Sequence, residues 1–308
     1  MRFSEEKIAM GRGFANKLWN AARFVLLGSE GYEAERSEAD QVDRWIASRF
    51  QRCLGTVEAA VAGYDFTAAV DALYHFVWDE FCDWYLELVK VRLYGDDESA
   101  KAQAAGHARW MLDQIVRLLH PFMPFVTEEI AEQYGAAPLL RQDHPRRDET
   151  QLDPEAEQAI GELQAVVDAL RRFRAEAEIP PGKVLDAVFV GDAAGAEARY
   201  APYVGAFRSL ARTAVDFGGD PADDATVVLV PGGRMEVAAA VDRAEEIARL
   251  EQQLAKAEAE VKRGEAKLGN EKFVNNAPEH IVAKERDKLA AYVAERDGLA
   301  ARLAQLRG

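Results

Sequence analysis

The sequence predicts a mainly α protein: an antiparallel helical bundle, a small α/β unit and a C-terminal antiparallel coiled-coil hairpin. Three observations carry this. Apolar residues recur at helical spacing through the first 135 residues. Short strand-like runs occur between 184 and 241. From Asp242 the apolar period tightens to about 3.5 residues. The expected divisions are a bundle over 1–150, an exit helix with the α/β unit over 151–241, and an arm over 242–308.

In "GFANKLWNAARFVLL" (13–27), Phe14, Leu18, Ala21, Ala22 and Val25 share one helical face. Asn16, Asn20 and Arg23 form a polar stripe on the other side, with Lys17 and Phe24 at its margin. A second helix is expected over 37–62, with Ser37 as its N-cap. "FTAAVDALYHFVWDEFCDWYLELVKVRL" (66–93) is apolar around most of its circumference, as the central helix of a bundle should be. A helix over 97–119 follows, ended by Pro121, and Pro124 opens the next.

"GAAPLLRQDHPRRDETQL" (135–152) reads as a polar loop. Asp153, Pro154 and Glu155 then supply an N-cap, a first-turn proline and an acid for a helix that Pro180-Pro181-Gly182 stops. "VLDAVFVG" (184–191), "TAVDFG" (213–218), "TVVLVP" (226–231) and "MEVAAAV" (235–241) are the strands, with a helix over 195–211. In the arm, Ile247, Leu250, Leu254, Ala257, Val261, Gly264 and Leu268 alternate steps of three and four. Leu289, Tyr292, Arg296, Leu299, Leu303 and Leu306 repeat the pattern. Two seams around a break containing Gly269 and Pro278 describe a hairpin. Each limb of roughly 27 residues is about 40 Å long, too long to bury in a body this size, so the hairpin is expected to project.

Net charge is −15, unevenly spread. Residues 1–150 hold 17 Lys/Arg against 25 Asp/Glu, residues 151–239 hold 8 against 15, and residues 240–308 hold 13 of each. An acidic body repels bulk nucleic acid, so binding there must rest on local basic and polar faces. No apolar run reaches the ~18 residues needed to span a bilayer, and the N-terminus lacks the apolar core of a signal peptide. Cys53 and Cys82 build no disulfide framework. A cytoplasmic setting without a membrane is expected.

Catalytic chemistry is sparse. Gly11-x-Gly13 lacks the third glycine of a dinucleotide loop, and no phosphate-binding G-x-x-x-x-G-K-[ST] occurs. The five histidines are scattered. His75 and Asp79, one turn apart, read as a structural pair, Cys82 as a buried inert thiol, and the carboxylates of "VWDEFCDWYLE" as an ion-paired face. No metal site and no catalytic residue is expected.

Several stretches together resemble one family, the C-terminal part of bacterial valyl-tRNA synthetase. "FANKLWNAARF" (14–24), "FCDWYLE" (81–87) and "LLHPFMPFVTEEI" (118–130) are similar to signatures of the anticodon-binding bundle shared by the class I synthetases for valine, isoleucine and leucine. "ALRRFRAEAEIPPGK" (169–183) resembles the segment leaving that bundle. "KLGNEKFVNNAPEHIVAKERDKL" (267–289) is similar to the tip of the coiled-coil arm, which the isoleucyl and leucyl enzymes do not share. Ala131, where the family usually carries tryptophan, and His144-Pro145, where an aromatic-proline pair is common, imply looser packing over 131–145.

The family's H-I-G-H and K-M-S-K-S signatures do not occur in this sequence. The resemblance therefore implies no cofactor in this chain, ATP and Mg being needed by the full-length enzyme, and no valine activation by the chain alone. It implies tRNA(Val) as partner, with the bundle on the anticodon stem-loop and the arm on the outer corner. Candidate tRNA-binding residues in the body are Asn16, Lys17, Asn20, Arg23, Arg171, Arg172 and Arg174. On the arm they are Lys262, Arg263, Lys267, Lys272, Asn275, Asn276, Lys284, Arg286 and Lys288. Phe273 and Val274 are expected to close the tip. An ordinary solvated helix face and intrahelical ion pairing remain the bland alternatives. Two rival functions stand beside this one: a protein-interaction module without RNA, and a subunit that completes a split synthetase with a separate catalytic fragment. DNA is not expected as a partner.

Overall fold

The structure is a computed structural model that describes residues 5–191, 195–222, 225–238, 243–269 and 279–307. It divides into two compact units, 1–238 and 239–308. The first joins the bundle and the α/β element; the second is the arm.

The bundle opens with α1 (Glu5–Gly28), whose buried face is Phe14, Leu18, Ala21, Ala22 and Val25, the stripe its sequence predicts. Helix α2 (Gln41–Ala62) starts later than expected because Asp40, not Ser37, caps it, accepting from the Val42 amide. Ser37 instead donates its own amide to His107 Nδ1 at 2.9 Å. Helix α3 (Phe66–His75), a π-helical stretch Phe76–Tyr85 and α4 (Leu86–Leu93) follow one another directly. The expectation here is a regular helix. Phe76, Trp78, Phe81, Trp84 and Tyr85 crowd ten residues, and the wider π turn spreads these rings around the axis. Phe81 and Tyr85 stack at 5.6 Å, and Tyr74 and Trp78 at 5.5 Å. Helices α5 (Glu98–Leu119) and α6 (Pro124–Gln133) complete the bundle, interrupted where Pro121 and Pro124 require. Ala131 is 1% exposed, and an open groove of about 580 Å³, lined by Val57, Val61, Phe66, Phe122 and His144 among others, lies in the bundle.

Polar interactions set the register of this packing. Asp43 on α2 is fully buried and accepts from both Nη atoms of Arg92, at 2.8 and 2.7 Å, and from the Tyr85 hydroxyl at 3.2 Å. The ends of the 29–40 connection are held elsewhere. The Glu35 amide donates to the Gly106 carbonyl at 3.1 Å, and a Cβ on Gly106 would sit 2.9 Å from the Glu33 carbonyl oxygen, so only glycine admits this approach.

Helix α7 (Pro154–Glu176) begins where the sequence expects, with Asp153 accepting from the Ala156 amide at 2.9 Å. Its first turn is tied to α2: Arg44 donates to Asp153 at 2.9 Å, Arg52 to Glu157 at 2.7 and 2.8 Å, and Ser48 to Glu157. The sheet has the order β2-β1-β4-β3, built from β1 (Leu185–Gly191), β2 (Thr213–Asp216), β3 (Thr226–Val230) and β4 (Gly233–Val237). β1 is parallel to β2 and antiparallel to β4, and β3 and β4 form a hairpin. Strand β4 starts two residues earlier than expected, at Gly233, where a Cβ would lie 2.3 Å from the Val190 carbonyl oxygen. The expected helix over 195–211 is divided into α8 (Ala196–Tyr200), a 3-10 turn and α9 (Val204–Leu210), because Pro202 lacks an amide to continue the ladder. Phe189, Tyr200, Phe207, Met235 and Val237 form the core of this element.

The arm is two helices, α10 (Arg243–Leu268) and α11 (Glu279–Arg307), which pack on each other. Lys267 meets Glu285 at 2.8 Å and Gly264 faces Leu289, so the limbs are antiparallel in a single register. Ala257, Val261 and Leu303 are buried, and Leu254, Leu268, Leu289, Tyr292 and Leu299 are half-buried, as the seam predicts. The Ile247, Leu250 and Leu306 side chains lie outside the described residues.

His107 gives the body a pH dependence. Burial, aided by Arg92 and Arg36, pushes its pKa down to about 3. The unfolded imidazole titrates near its ordinary value of about 6.5. Between those values the unfolded state binds one more proton, so stability falls as pH drops through the window. The expected decrease from this residue is about 1.4 kcal/mol per pH unit below ~6.5. Urea unfolding of the parent and of His107→Gln near pH 7 and near pH 5 checks this; the variant should lose about 2 kcal/mol less between the two conditions.

Candidate nucleic-acid interface

Helix α1 turns its apolar stripe inward and so leaves Asn16, Asn20 and Arg23 exposed. Among the described residues none of the three has a hydrogen-bond or ion-pair partner, so two amides and a guanidinium stand open on one helix face. Lys17 behaves differently. Its Nζ lies 2.6 Å from Asp83 and 3.8 Å above the Trp78 ring, so its charge is already matched and its stem is spent on packing. Phe24 is likewise engaged, with Lys90 over its ring at 5.4 Å and Tyr94 edge-on at 6.4 Å.

Beside this face lies an aromatic group that sequence spacing does not reveal. Phe14 meets Tyr74 at 5.3 Å, Tyr74 stacks on Trp78, and Lys17 covers Trp78. Tyr74 and Trp78 are half-buried. The signal is present as aromatics four apart on the central helix, but periodicity alone reads such spacing as core.

The three arginines of α7 part company. Arg171 donates through Nε to the Leu210 carbonyl at 2.9 Å, lies 3.7 Å from Asp168 and sits 5.5 Å from the Trp84 ring. Arg172 is exposed and, among the described residues, unpaired. Arg174 is only 8% exposed, and its Nη atoms donate to the Arg212 carbonyl at 3.2 Å and the Pro180 carbonyl at 2.9 Å. Of the three arginines expected at phosphate, Arg174 is the one that the structure turns inward. That side chain faces inward because α7 leaves the bundle there and its guanidinium satisfies two carbonyls of the turn into the sheet.

On the arm, Lys262, Arg263, Lys284, Arg286 and Lys288 are all exposed. Arg263 pairs with Glu260 at 2.7 Å, Lys267 bridges the two limbs to Glu285, and Lys288 lies 5.9 Å from the Tyr292 ring. Lys272, Phe273, Val274, Asn275 and Asn276 fall outside the described residues. The seam arginine Arg296 is half-buried and turns back to Asp297 at 2.6 Å.

Other titratable side chains of the body are held in local pairs or buried. His75 and Asp79 form an exposed pair at 2.7 Å. Glu80 holds Arg49 through two bonds, at 2.8 and 2.6 Å. Burial pushes the Cys53 and Cys82 thiols up to about 12, which keeps both protonated and inert. Among the described residues no three His, Cys, Asp or Glu side chains are grouped to hold a metal, and no helix is long and apolar enough to cross a membrane.

Comparison with known proteins assigns both units. Residues 43–189 match the family model for the anticodon-binding domain of tRNA ligase. Residues 242–307 match that for the valyl tRNA synthetase tRNA binding arm. The chain is 35% identical over its whole length to the valine--tRNA ligase of Listeria innocua serovar 6a, and 34% to that of Bacillus subtilis strain 168, spanning 36% of each. Against the valine--tRNA ligase of Rhodopseudomonas palustris, 96% of the chain aligns at 36% identity and spans 35% of that protein. The chain therefore spans about a third of the length of the curated relatives it matches, their C-terminal 36%.

The inward role of Arg174 is testable. Arg174→Met removes two charge-assisted hydrogen bonds and leaves two carbonyls without this donor, so it should destabilise the body by about 2–4 kcal/mol in urea unfolding. Arg172→Met, at an open position, should change stability by less than about 0.5 kcal/mol.

Proposed function

Because the chain belongs to the valine--tRNA ligase family, we propose that it is the tRNA-holding portion of such an enzyme, with tRNA(Val) as its partner and the cytoplasm as its setting. In this reading the bundle receives the anticodon stem-loop and the arm lies along the outer corner of the tRNA. The observation that carries it is the pairing of two RNA-directed family matches with two separately compact units.

Physical chemistry supports the assignment of roles. Anticodon bases are unpaired, so their edges and faces are open to side chains. Asn16, Asn20 and Arg23 present donors and acceptors without having to break bonds within the protein. The arm is neutral where the body is acidic, and Lys262, Lys284, Arg286 and Lys288 are exposed in the part of each limb nearest the turn. Cations in that position contribute an electrostatic attraction that the body as a whole opposes.

Valine activation belongs, in this proposal, to catalytic residues supplied elsewhere, either in the same polypeptide or as a separate fragment. No cofactor is assigned to this chain in this reading, because neither the H-I-G-H nor the K-M-S-K-S signature occurs in its sequence.

Two measurements test the reading. Removing 243–308 should weaken tRNA binding and flatten its dependence on salt, by a slope of about 0.9 for each phosphate no longer neutralised; unchanged affinity would sink the role of the arm. In competition, tRNA(Val) should displace itself better than a tRNA with an exchanged anticodon, and Asn20→Ala should narrow that difference. A chain that binds no tRNA at all would overturn the whole proposal.

A further inference from the structure

Residues 151–239 hold only eight Lys and Arg against fifteen Asp and Glu. Two of the eight are matched locally, Arg199 by Glu162 at 2.8 Å and Arg234 by Glu236 at 2.6 Å. Five of the others, Arg171, Arg172, Arg174, Arg208 and Arg212, come from two stretches that the fold brings together. Arg171 bonds the Leu210 carbonyl and Arg174 the Arg212 carbonyl, so the last turns of α7 lie against the end of α9 and the entry to β2. An acidic segment has gathered most of its positive charge at one junction.

The way these arginines are held matters. Arg171 and Arg174 give their donors to backbone carbonyls, which satisfy hydrogen bonds without cancelling the charge; a carboxylate partner would do both. Among the described residues Arg171 is the one of the five with an ion-pair contact, to Asp168 at 3.7 Å, with both side chains about half exposed, where such a pair is weak. Arg172, Arg208 and Arg212 are exposed and have no ion-pair partner among the described residues. Arg212 also adopts φ 50°, a left-handed conformation that costs a bulky residue about 1 kcal/mol. Like charges kept together, unpaired and at a backbone cost form a surface that an array of anions would relieve.

We infer that this junction is a docking surface for the RNA phosphate backbone, in which Arg171, Arg172, Arg208 and Arg212 meet successive phosphates while Arg174 beneath them holds the two stretches together. The inference rests on the tRNA-binding reading above and extends it to a surface made by α7 and α9. Guanidinium groups fit phosphate oxygens bidentately. Interactions of this class position the RNA and carry no sequence information.

The test uses the full chain and an unmodified tRNA(Val) transcript, with affinity measured across a range of salt concentrations. In the triple variant Arg172→Gln, Arg208→Gln, Arg212→Gln, binding should weaken at least tenfold at low salt. The slope of log affinity against log salt should fall by about 2 to 3, near 0.9 per phosphate. Preference for tRNA(Val) over an anticodon-exchanged transcript should be unchanged. If the parent binds and the triple variant matches it in affinity and slope, the surface is refuted while the tRNA-binding reading stands. If the parent does not bind tRNA, both fall. A vanished anticodon preference would overturn the assignment to phosphate in favour of base recognition. Should the triple variant not fold, Arg172→Gln alone replaces an open side chain and should lower the slope by about 1; no change there refutes the surface.

Discussion

The packing of the body is set by one buried carboxylate. Asp43 has no exposure to solvent, and a charge in that position is tolerated only because Arg92 meets it with two hydrogen bonds and Tyr85 with a third. That demand fixes how α2 lies against the π-helical stretch and α4, since a shift of one residue would leave the charge unmatched. With α2 in place, its outer edge presents Arg44, Ser48 and Arg52 to the start of α7, and Arg49 to Glu80. The exit from the bundle is thereby aimed by the same helix that organises its core. The connection before α2 is seated by the Ser37 amide on His107 and the Glu35 amide on Gly106.

Charge follows a parallel logic. The body is acidic, but many of its carboxylates are consumed in pairs: Asp83 with Lys17, Glu80 with Arg49, Glu157 with Arg52, Asp153 with Arg44. Cations left over are either open, as Arg23 and Arg172, or tied to carbonyls, as Arg171 and Arg174. Such pairing leaves the net charge of the body unchanged, so what it decides is where the unmatched cations stand. Net charge alone is therefore a poor guide to partners, because it cannot say which charges are already matched.

The arm solves a different problem with simpler means. Its seam alternates Leu, Val and Ala with the small Gly264, which admits Leu289 from the facing limb. The same register places Arg296 across from the small Ala257, where the long side chain can lie half-buried and return its charge to Asp297. A polar residue at a seam position costs stability and sets register.

Much of this was legible in one dimension. Local physics determined the helices and their ends: the Phe14, Leu18, Val25 stripe, the Asp153-Pro154 start, the stops at Pro121 and Pro180, and the heptads of the arm all act within one or two turns. So did the exposure of Asn16, Asn20 and Arg23, which follows from the apolar face opposite them. What depended on residues far apart in the chain was decided only by the tertiary structure. Ser37 gave up its capping role because His107, seventy residues away, takes its amide. Lys17 gave up its freedom to Asp83 and Trp78, and Arg174 turned inward to carbonyls that the chain supplies only after it has folded back. The arginine surface at the end of α7 has the same origin. Arg208 and Arg212 stand more than thirty residues beyond Arg172, and the two stretches are brought together by the bonds from Arg171 to the Leu210 carbonyl and from Arg174 to the Arg212 carbonyl.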